Sequence, residues 1–267
     1  MEQATKLSLE KALAKTEEDA NNSLKATQAV AAAVKRLHKA AALGDLRDVR
    51  SALDGMEKAE LALRQQIFTA KAGWDFNAEA YLSDGSFTAE VLAVAEQKGV
   101  RIFERDDRLY CYPVLIRVSA SESVILIDRV KEKKLRPTVL VNRLKELQKR
   151  PPKFRPEAFL EALYGAYDKA VATRGKELFN AGPVIALLEL YELFTLLPGQ
   201  IKEYSRQEFA RDIYLLHKSE VNITKKGSKV TLVPARSKFD KKALTALTEI
   251  GEERYYYGIS FTPTAKE

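Results

Sequence analysis

One helical pattern near the start of the chain limits what this sequence can fold into. Apolar or small residues recur every three or four positions from Leu9 to Ala41, and Lys and Glu are prominent on the other faces. This spacing predicts one long α-helix with a narrow seam that needs a facing helix. The predicted seam consists of Leu9, Leu13, Thr16, Ala20, Ser23, Thr27, Val30, Val34, Leu37 and Ala41.

The facing helix is predicted in the segment that follows. Gly44 suits the end of the first helix because glycine tolerates left-handed backbone, and Asp45 can cap the next helix by accepting a backbone N–H. The simplest arrangement is an antiparallel hairpin of residues 5–43 and 45–72. Such an arm is typical of self-association or of docking to a protein partner, and a pair of ordinary core helices is the alternative. The second stripe consists of Leu46, Val49, Leu53, Met56, Leu63 and Ile67.

A small antiparallel sheet is predicted after the hairpin. Turn residues separate three stretches rich in β-branched and aromatic residues, which predicts a meander of three strands. Pro113 lacks the N–H that a sheet ladder uses, so the middle strand has a bulge there or lies at an edge. A helix precedes the sheet, and another begins after it at Pro137. The predicted helices span 86–98 and 137–148, and the strands span 100–105, 109–118 and 123–130.

Charge is distributed unevenly along the chain. Residues 1–128 hold 17 basic and 20 acidic side chains, whereas residues 129–242 hold 25 and 13, a net charge of +12. Cations presented together release counterions from a polyanion, so this localisation favours phosphate neutralisation over a merely solubilising lysine surface. The densest cluster is the basic segment 129–155, and its candidate phosphate contacts are Lys131, Lys133, Lys134, Arg136, Arg143, Lys145, Lys149 and Arg150.

The C-terminal part of the chain combines helices with short strands. Pro156 and Pro183 each suit the first turn of a helix, where no N–H is needed. Ser205 and Glu208 have the spacing of a capping box, in which each side chain accepts a hydrogen bond from the other residue's backbone N–H. The predicted elements are helices at 156–173, 183–197 and 206–218, strands at 221–224 and 229–233 joined by Lys225-Lys226-Gly227-Ser228, a helix capped by Asp240, and a strand at 254–261.

Three helices followed by a β-hairpin with a basic tip, over residues 156–233, resemble the winged helix-turn-helix superfamily. The resemblance is one of element order and covers less than a third of the chain. In proteins of that family the third helix commonly enters the major groove and the hairpin tip contacts the DNA backbone, although many members contact protein instead. The contacts implied here are Arg206, Gln207, Arg211 and Lys218 on the third helix, and Lys225, Lys226 and Lys229 at the tip.

A metal-dependent nuclease is the enzymatic alternative. Such a site needs an acidic residue followed by an acid-x-lysine pair, which hold a metal and orient water. Asp106 or Asp107, followed by Glu132-Lys133-Lys134, has that order, but Glu132 lies in a polar run instead of an apolar strand. Walker, Rossmann and serine-elbow motifs are absent from the sequence. We therefore expect no catalytic residues and no enzymatic activity.

Neither a metal nor another cofactor is expected. His38 and His217 lie on separate predicted helices without a second ligand at zinc spacing, and Cys111, the only cysteine, shares a strand face with Leu109 and Leu115 as a core residue. No charged-then-apolar leader follows Met1 and no apolar run approaches the roughly 20 residues that span a bilayer. The expected location is the cytoplasm, without membrane contact.

These patterns predict an α+β fold with a long N-terminal helical hairpin, a small antiparallel sheet and a C-terminal winged-helix-like unit. The predicted domains are 1–72, 73–155 and 156–267. The favoured function is non-enzymatic binding of nucleic acid, duplex DNA in particular, with residues 5–72 as an arm for a protein partner or a second copy. An accessory protein-interaction subunit of a larger bacterial-type DNA-processing or defence complex is the alternative, and the nuclease is third.

Overall fold

The structure is a computed structural model in which helices combine with antiparallel sheets, so the predicted α+β class is confirmed. It describes residues 8–106, 108–174, 182–237, 240 and 242–264. Within these ranges no helix is both long enough and apolar enough to cross a lipid bilayer.

The chain forms two compact units. The first contains the chain up to Lys98, together with two later segments, Val118–Ile125 and Glu132–Arg143. The second contains Gly99–Arg117, Leu126–Lys131 and the chain from Leu144 onward. The C-terminal helices, the last four strands and the basic residues near the C-terminus therefore belong to one unit.

The predicted helical hairpin is confirmed. Its helices, α1 (Leu9–Leu43) and α2 (Leu46–Gly73), pack against each other and are joined by two residues. Gly44, at φ 70°, ends α1 in the left-handed conformation, and its N–H donates to carbonyl groups of the last turn. The Asp45 carboxylate caps α2 by accepting two backbone N–H groups of its first turn. The connection therefore has the capping chemistry that the sequence indicated.

The seam of the hairpin differs from the predicted one at alternate positions. Thr27 is exposed, and the neighbouring Ala26 is half-buried in its place. Leu53 is likewise exposed, whereas Ala52 is buried. Small side chains let two helices approach closely, so alanines form much of this contact. The seam prediction was wrong for Ala20, Thr27, Val34, Ala41, Leu46, Leu53 and Ile67, which are all exposed.

Carboxylates connect the start of α1 to shorter helices of the first unit. The shorter helices are α3 (Ala78–Ser83), α4 (Ser86–Gln97) and α5 (Pro137–Gln148), the last with the predicted bounds. Glu90 of α4 accepts the backbone N–H of Glu10 at 3.2 Å and so helps to cap α1. Glu10 accepts the N–H of Thr138 at 2.9 Å and the guanidinium of Arg136 at 2.6 Å, at the start of α5. Anions at helix N-termini satisfy free N–H groups and complement the helix dipole.

The predicted meander has five strands instead of three. In chain order they are β1 (Phe103–Arg105), β2 (Arg108–Cys111), β3 (Val114–Ser119), β4 (Val124–Ile127) and β5 (Val130–Glu132), and each pairs with the next. Pro113 follows a cis peptide bond in the turn between β2 and β3. The expectation of one strand at 109–118 with a bulge or edge at the proline was therefore wrong, because the chain reverses direction there.

The second unit packs helices against a four-stranded antiparallel sheet. Its elements are α6 (Pro156–Thr173), β6 (Ile185–Ala186), α7 (Leu187–Phe194), α8 (Gln200–Glu203), α9 (Arg206–Lys218), β7 (Ser228–Pro234), β8 (Leu244–Leu247) and β9 (Glu253–Pro263). The long β9 pairs with each of the other three strands. Tyr167, Phe209 and Phe261 lie in the common core. Helices α6 and α9 have the predicted bounds, and the capping box of α9 is present.

The helix expected from Pro183 begins only at Leu187. Ile185 and Ala186 instead pair with β9, and the side chain of Ile185 is fully buried. The local sequence after Pro183 does not distinguish a helix start from a two-residue strand, because the strand depends on pairing with β9, which lies far away in the sequence.

Two further predictions near the C-terminus were wrong. The stretch 221–224 forms no strand, and Ile223 alone makes a bridge to Lys229. The helix expected after Asp240 is absent from the described residues, and 244–247 form strand β8 instead. Residues 238, 239 and 241 lie outside the described part of the chain.

We predict that Glu10→Gln weakens the attachment of α1. Burial opposes ionisation of Glu10, but hydrogen bonds from Arg136 and Thr138 outweigh it and hold the pKa of Glu10 below its usual 4.5. Its stabilisation is therefore present above pH 4.5 and is lost as the pH falls through the lower folded-state pKa. Because the side chain is partly exposed, we expect a loss of about 1 kcal/mol at neutral pH, or about 2–4 °C in melting temperature.

Differential scanning fluorimetry across a pH series measures this effect. The difference between variant and parent should shrink towards zero in acid. Glu18→Gln is the matched control, because Glu18 is an exposed carboxylate of α1 without an ion pair to a described residue. Equal losses in the two variants would contradict a specific role for Glu10.

Candidate nucleic-acid interface

The cations of the basic segment divide into paired and unpaired residues. Lys131 and Lys145 have interaction partners. Lys133, Lys134 and Arg150 are exposed and make no ion pair with a described carboxylate. The remaining predicted residues are held in ion pairs, which join Arg136 to Glu10 and Glu17, Arg143 to Glu132, and Lys149 to Glu146. The net charge of the segment therefore overstates what it presents to a ligand.

Arg211, predicted to face a DNA groove, lies in an internal ion-pair cluster. Its guanidinium contacts Asp212 at 3.0 Å and also pairs with Asp128, and its side chain is 17% exposed. Burial opposes the charge, but the two carboxylates outweigh it and raise the pKa of Arg211. Tyr204 donates a hydrogen bond of 2.7 Å to the other oxygen of Asp212. Movement of Arg211 towards a phosphate would leave Asp128 and the largely enclosed Asp212 without their counter-charge.

The other groove candidates of α9 are also engaged. Lys218 pairs with Glu249 at 2.6 Å. Arg206 donates a hydrogen bond of 2.7 Å to the carbonyl oxygen of Ala243. Gln207 is half-buried. These side chains bind neighbouring parts of the second unit, so α9 does not present a row of free cations to solvent.

The three lysines predicted at the wing tip lie on one hydrogen-bonded turn, residues 224–229, which we call the basic turn. The N–H of Thr224 donates to the carbonyl of Ser228 at 2.9 Å, and its hydroxyl accepts the N–H of Ser228 at 3.0 Å. Gly227, at φ 76°, has the left-handed backbone that glycine adopts without strain. The basic turn connects α9 to β7, and is not the tip of a two-stranded hairpin as predicted.

The lysine side chains of the basic turn are exposed. Lys225, Lys226 and Lys229 make no ion pair with any carboxylate that the structure describes. The ammonium of Lys226 lies 5.6 Å from the ring centre of Tyr164. Glu161 is nearby, but its carboxylate accepts the backbone N–H of Lys225 at 2.6 Å. The basic turn therefore combines a defined backbone with available positive charge.

Sequence reasoning missed a row of three arginines that crosses the five-stranded sheet. Arg105 lies opposite Arg108 in the register of β1 and β2. The register of β2 and β3 pairs Leu109 with Ile116, so one further step places Arg108 opposite Arg117. Side chains that are directly opposite in antiparallel strands share a face and lie about 5 Å apart, where like charges are destabilising.

Arg108 and Arg117 line a pocket of about 330 Å³, which we call the arginine pocket. Arg105, the third member of the row, is compensated by an ion pair with Glu253. Arg108 and Arg117 make no ion pair within the described part of the chain. Burial and the neighbouring charge of Arg117 lower the pKa of Arg108. The other lining residues are Leu115, Leu126, Asp128, Arg129, Glu203 and Glu208.

Glu208 joins the arginine pocket to the start of α9. Its buried carboxylate accepts the N–H and the hydroxyl of Ser205, at 2.7 and 2.9 Å, and completes the capping box. The other carboxylate oxygen accepts the Nε–H of Arg129 at 3.2 Å. The capping box was predicted from its local spacing. The bond to Arg129 was not, because the two residues are 79 positions apart.

The residues considered for metal chemistry have other roles. Asp106 lies 3.5 Å from Arg105, and Asp107 is outside the described residues. Buried Glu132 accepts the N–H of Lys134 at 2.8 Å. Nowhere in the described chain do three or more His, Cys, Asp or Glu residues group to hold a metal ion. Cys111 is fully buried, which raises the pKa of its thiol to about 12.

No protein-family model matches the chain, and no curated protein or solved structure matches it either. The winged helix-turn-helix resemblance therefore stays a proposal.

We predict that Glu208→Ala destabilises the second unit. The substitution leaves the backbone N–H of Ser205 without its acceptor and Arg129 unpaired, so we expect a loss of about 2–3 kcal/mol in the free energy of unfolding. Glu208→Gln retains an acceptor for the capping box and should lose less, about 1 kcal/mol. Urea denaturation followed by circular dichroism measures both. Glu203→Ala, at the exposed rim of the arginine pocket, is the control and should change little; equal stability of Glu208→Ala and the parent would refute the prediction.

Proposed function

We propose that the protein binds nucleic acid through its phosphate backbone, with the basic turn as the main contact. The observation that carries the proposal is the exposure of three unpaired lysines on this one hydrogen-bonded turn. Affinity for a polyanion grows with the number of cations that displace counterions together. A turn whose backbone is already ordered also loses less conformational entropy on binding.

Further exposed cations of the same unit support this proposal. Arg150, Lys153 and Arg155 are exposed near the start of α6 and make no ion pair with a described carboxylate. Lys225 and Lys226 lie beside the same helix, through their contacts with Glu161 and Tyr164. Both groups can therefore contact phosphates from the α6 side of the second unit.

The contacts of α9 favour a binding mode that does not read bases. Direct readout needs side chains that reach base edges in a groove, whereas phosphate contacts carry no sequence information. Arg211 and Lys218 are held by carboxylates, and Arg206 is held by a backbone carbonyl. We therefore propose sequence-independent binding, with duplex DNA as the first ligand to test.

The winged helix-turn-helix resemblance is retained as a proposal, with a different assignment of the wing. After the third helix, α9, the strands β7 and β9 pair along their length. The connection between β7 and β9 contains β8, and in this proposal that connection is the counterpart of the wing. The basic turn lies at the other end of β7. A phosphate contact there would be a feature of this chain and not of the family pattern.

We predict that Lys225→Ala, Lys226→Ala and Lys229→Ala together abolish most of the binding. Each lost phosphate contact lowers the slope of log affinity against log salt by about 0.9, so the triple variant should lose about 3 units of slope. Fluorescence anisotropy with a labelled random-sequence duplex, from about 50 to 200 mM salt, measures the slope. A different duplex sequence should give the same affinity.

The matched control changes three exposed lysines of the hairpin, Lys25, Lys35 and Lys58, to alanine. It removes the same net charge from another part of the chain and should leave the slope nearly unchanged. Equal losses in both variants would show that only net charge matters. No binding by the parent at low salt would refute the proposed function.

Exposed apolar residues of the hairpin favour a second role, self-association. Leu46, Leu53 and Ile67 are spaced by multiples of seven along α2 and are 83%, 45% and 54% exposed. Rows at this spacing are typical of helix–helix contacts. Glu60 occupies the position between Leu53 and Ile67 in this row and is ion-paired with Arg64, so a second copy of the hairpin offers complementary charge as well as apolar surface. We propose that two copies associate through α2.

We predict that Leu53→Lys with Ile67→Lys converts a dimer into a monomer, because charged side chains oppose burial of the row. Size-exclusion chromatography with multi-angle light scattering measures the mass. Gln65→Lys with Thr69→Lys adds the same charge at exposed polar positions of α2 and should remain dimeric. A parent protein that is monomeric at high concentration would refute self-association.

A further inference from the structure

Two arginines of the arginine pocket, Arg108 and Arg117, make no ion pair within the described part of the chain. Arg105, Arg108 and Arg117 lie directly across from one another on three strands. Glu253 compensates Arg105, but within the described residues no carboxylate pairs with Arg108 or Arg117. Like charges in this arrangement destabilise a sheet. An arrangement that weakens the fold without internal compensation is typical of a binding site.

Two of the three carboxylates that line the pocket are occupied by other partners, and the third, Glu203, lies at its exposed rim. Glu208 accepts hydrogen bonds from Ser205 and Arg129. One oxygen of Asp128 accepts the N–H of Leu115 at 3.0 Å and also pairs with Arg211. Neither carboxylate is within ion-pair distance of the two free arginines. These arginines therefore retain their hydrogen-bond donors for a ligand.

The turn between β4 and β5 adds a third arginine in an unusual conformation. Asp128 and Arg129 have φ angles of 52° and 93°, in the left-handed region that residues other than glycine rarely adopt. Such strain persists where surrounding contacts hold it, often at functional sites. Here Glu208 and the ring of Tyr204, 5.3 Å from the guanidinium carbon, hold Arg129 at the pocket wall. Its side chain nevertheless remains 60% exposed.

We propose that the arginine pocket binds a phosphate monoester group, with Arg108 and Arg117 as its principal ligands and Arg129 at the rim. A planar guanidinium binds two oxygens at once, and a terminal phosphoryl group offers three oxygens and up to two negative charges to two such side chains. A carboxylate, with two oxygens, matches only one. The pocket volume of about 330 Å³ suits a small phosphorylated molecule or the end of a chain.

An anion bound in the arginine pocket offsets the free-energy cost of holding two arginine charges close together. Arg108 is half-buried, and burial together with Arg117 outweighs the attraction of Glu208 and lowers the pKa of Arg108, so the folded protein holds this charge unfavourably. A dianion between the two guanidiniums turns repulsion into attraction. The inference does not depend on nucleic-acid binding by the basic turn, because the residues involved are different.

The test measures binding of inorganic phosphate, adenosine monophosphate, and one short oligonucleotide with a 5′-phosphate or a 5′-hydroxyl. Isothermal titration calorimetry gives the affinity. We expect saturable binding of phosphate-bearing probes, and at least about 10-fold weaker binding by Arg108→Ala or Arg117→Ala, since each removes charge-assisted hydrogen bonds. Arg101→Ala, an exposed arginine outside the pocket, should bind as the parent does. Tight binding of the two small probes supports a free ligand; selective binding of the 5′-phosphorylated oligonucleotide supports a nucleic-acid end.

Thermal unfolding without ligand provides a second readout. Arg117→Ala removes a repulsion, so its melting temperature should rise by up to about 3 °C even though its ligand affinity falls. The inference is overturned if no phosphate-bearing probe binds saturably, or if Arg117→Ala binds as tightly as the parent. The lysine variants of the basic turn should keep the pocket affinity, which separates failure of this inference from failure of the proposed function.

Discussion

The buried carboxylate of Glu208 is the contact on which the arrangement of the second unit around α9 depends. One oxygen completes the capping box of α9, and the other holds Arg129 in the turn between β4 and β5. A carboxylate is stable as an anion in a buried position only when its oxygens are satisfied in this way. One side chain therefore fixes both the start of α9 and one wall of the arginine pocket. Glu208 attracts Arg108 only at a distance, because its hydrogen bonds go to Ser205 and Arg129, and burial together with Arg117 still lowers the pKa of Arg108.

The contacts of α9 show why net charge is a poor guide to a binding surface. The region 129–242 carries a net charge of +12, yet its most central arginine, Arg211, is enclosed by two carboxylates. Charges used for internal pairing hold the fold and contribute little to the field that a polyanion meets. The exposed cations without an ion pair include Lys133 and Lys134, the three lysines of the basic turn and the residues near the start of α6. The unpaired cations, and not the densest cluster in the sequence, therefore define the surface that a polyanion can contact.

Much of the local structure could be predicted because its causes are local. The Gly44-Asp45 connection, the capping box at Ser205 and the prolines that begin α5 and α6 satisfy backbone groups only a few residues away. The residues of the helical seam were harder to predict. Hydrophobicity favoured Val34 and Leu53, whereas close packing of two helices selected alanines such as Ala52. Amphipathic spacing predicts that a helix has a contact face. A shift of one position, however, changes which residues lie on that face.

The features with the clearest functional meaning were beyond sequence reasoning because they depend on strand register. In the predicted meander Arg117 lies near the end of one strand across Pro113 and cannot face Arg108, whereas a chain reversal at that point brings Arg117 opposite Arg108. Ile185 and the strand at 244–247 likewise acquire their structure from β9. In a sheet, one residue of register decides whether two cations face each other or opposite surfaces. The cationic row therefore emerges only from long-range pairing, and its lack of internal compensation makes it the strongest indication of a ligand in this unit.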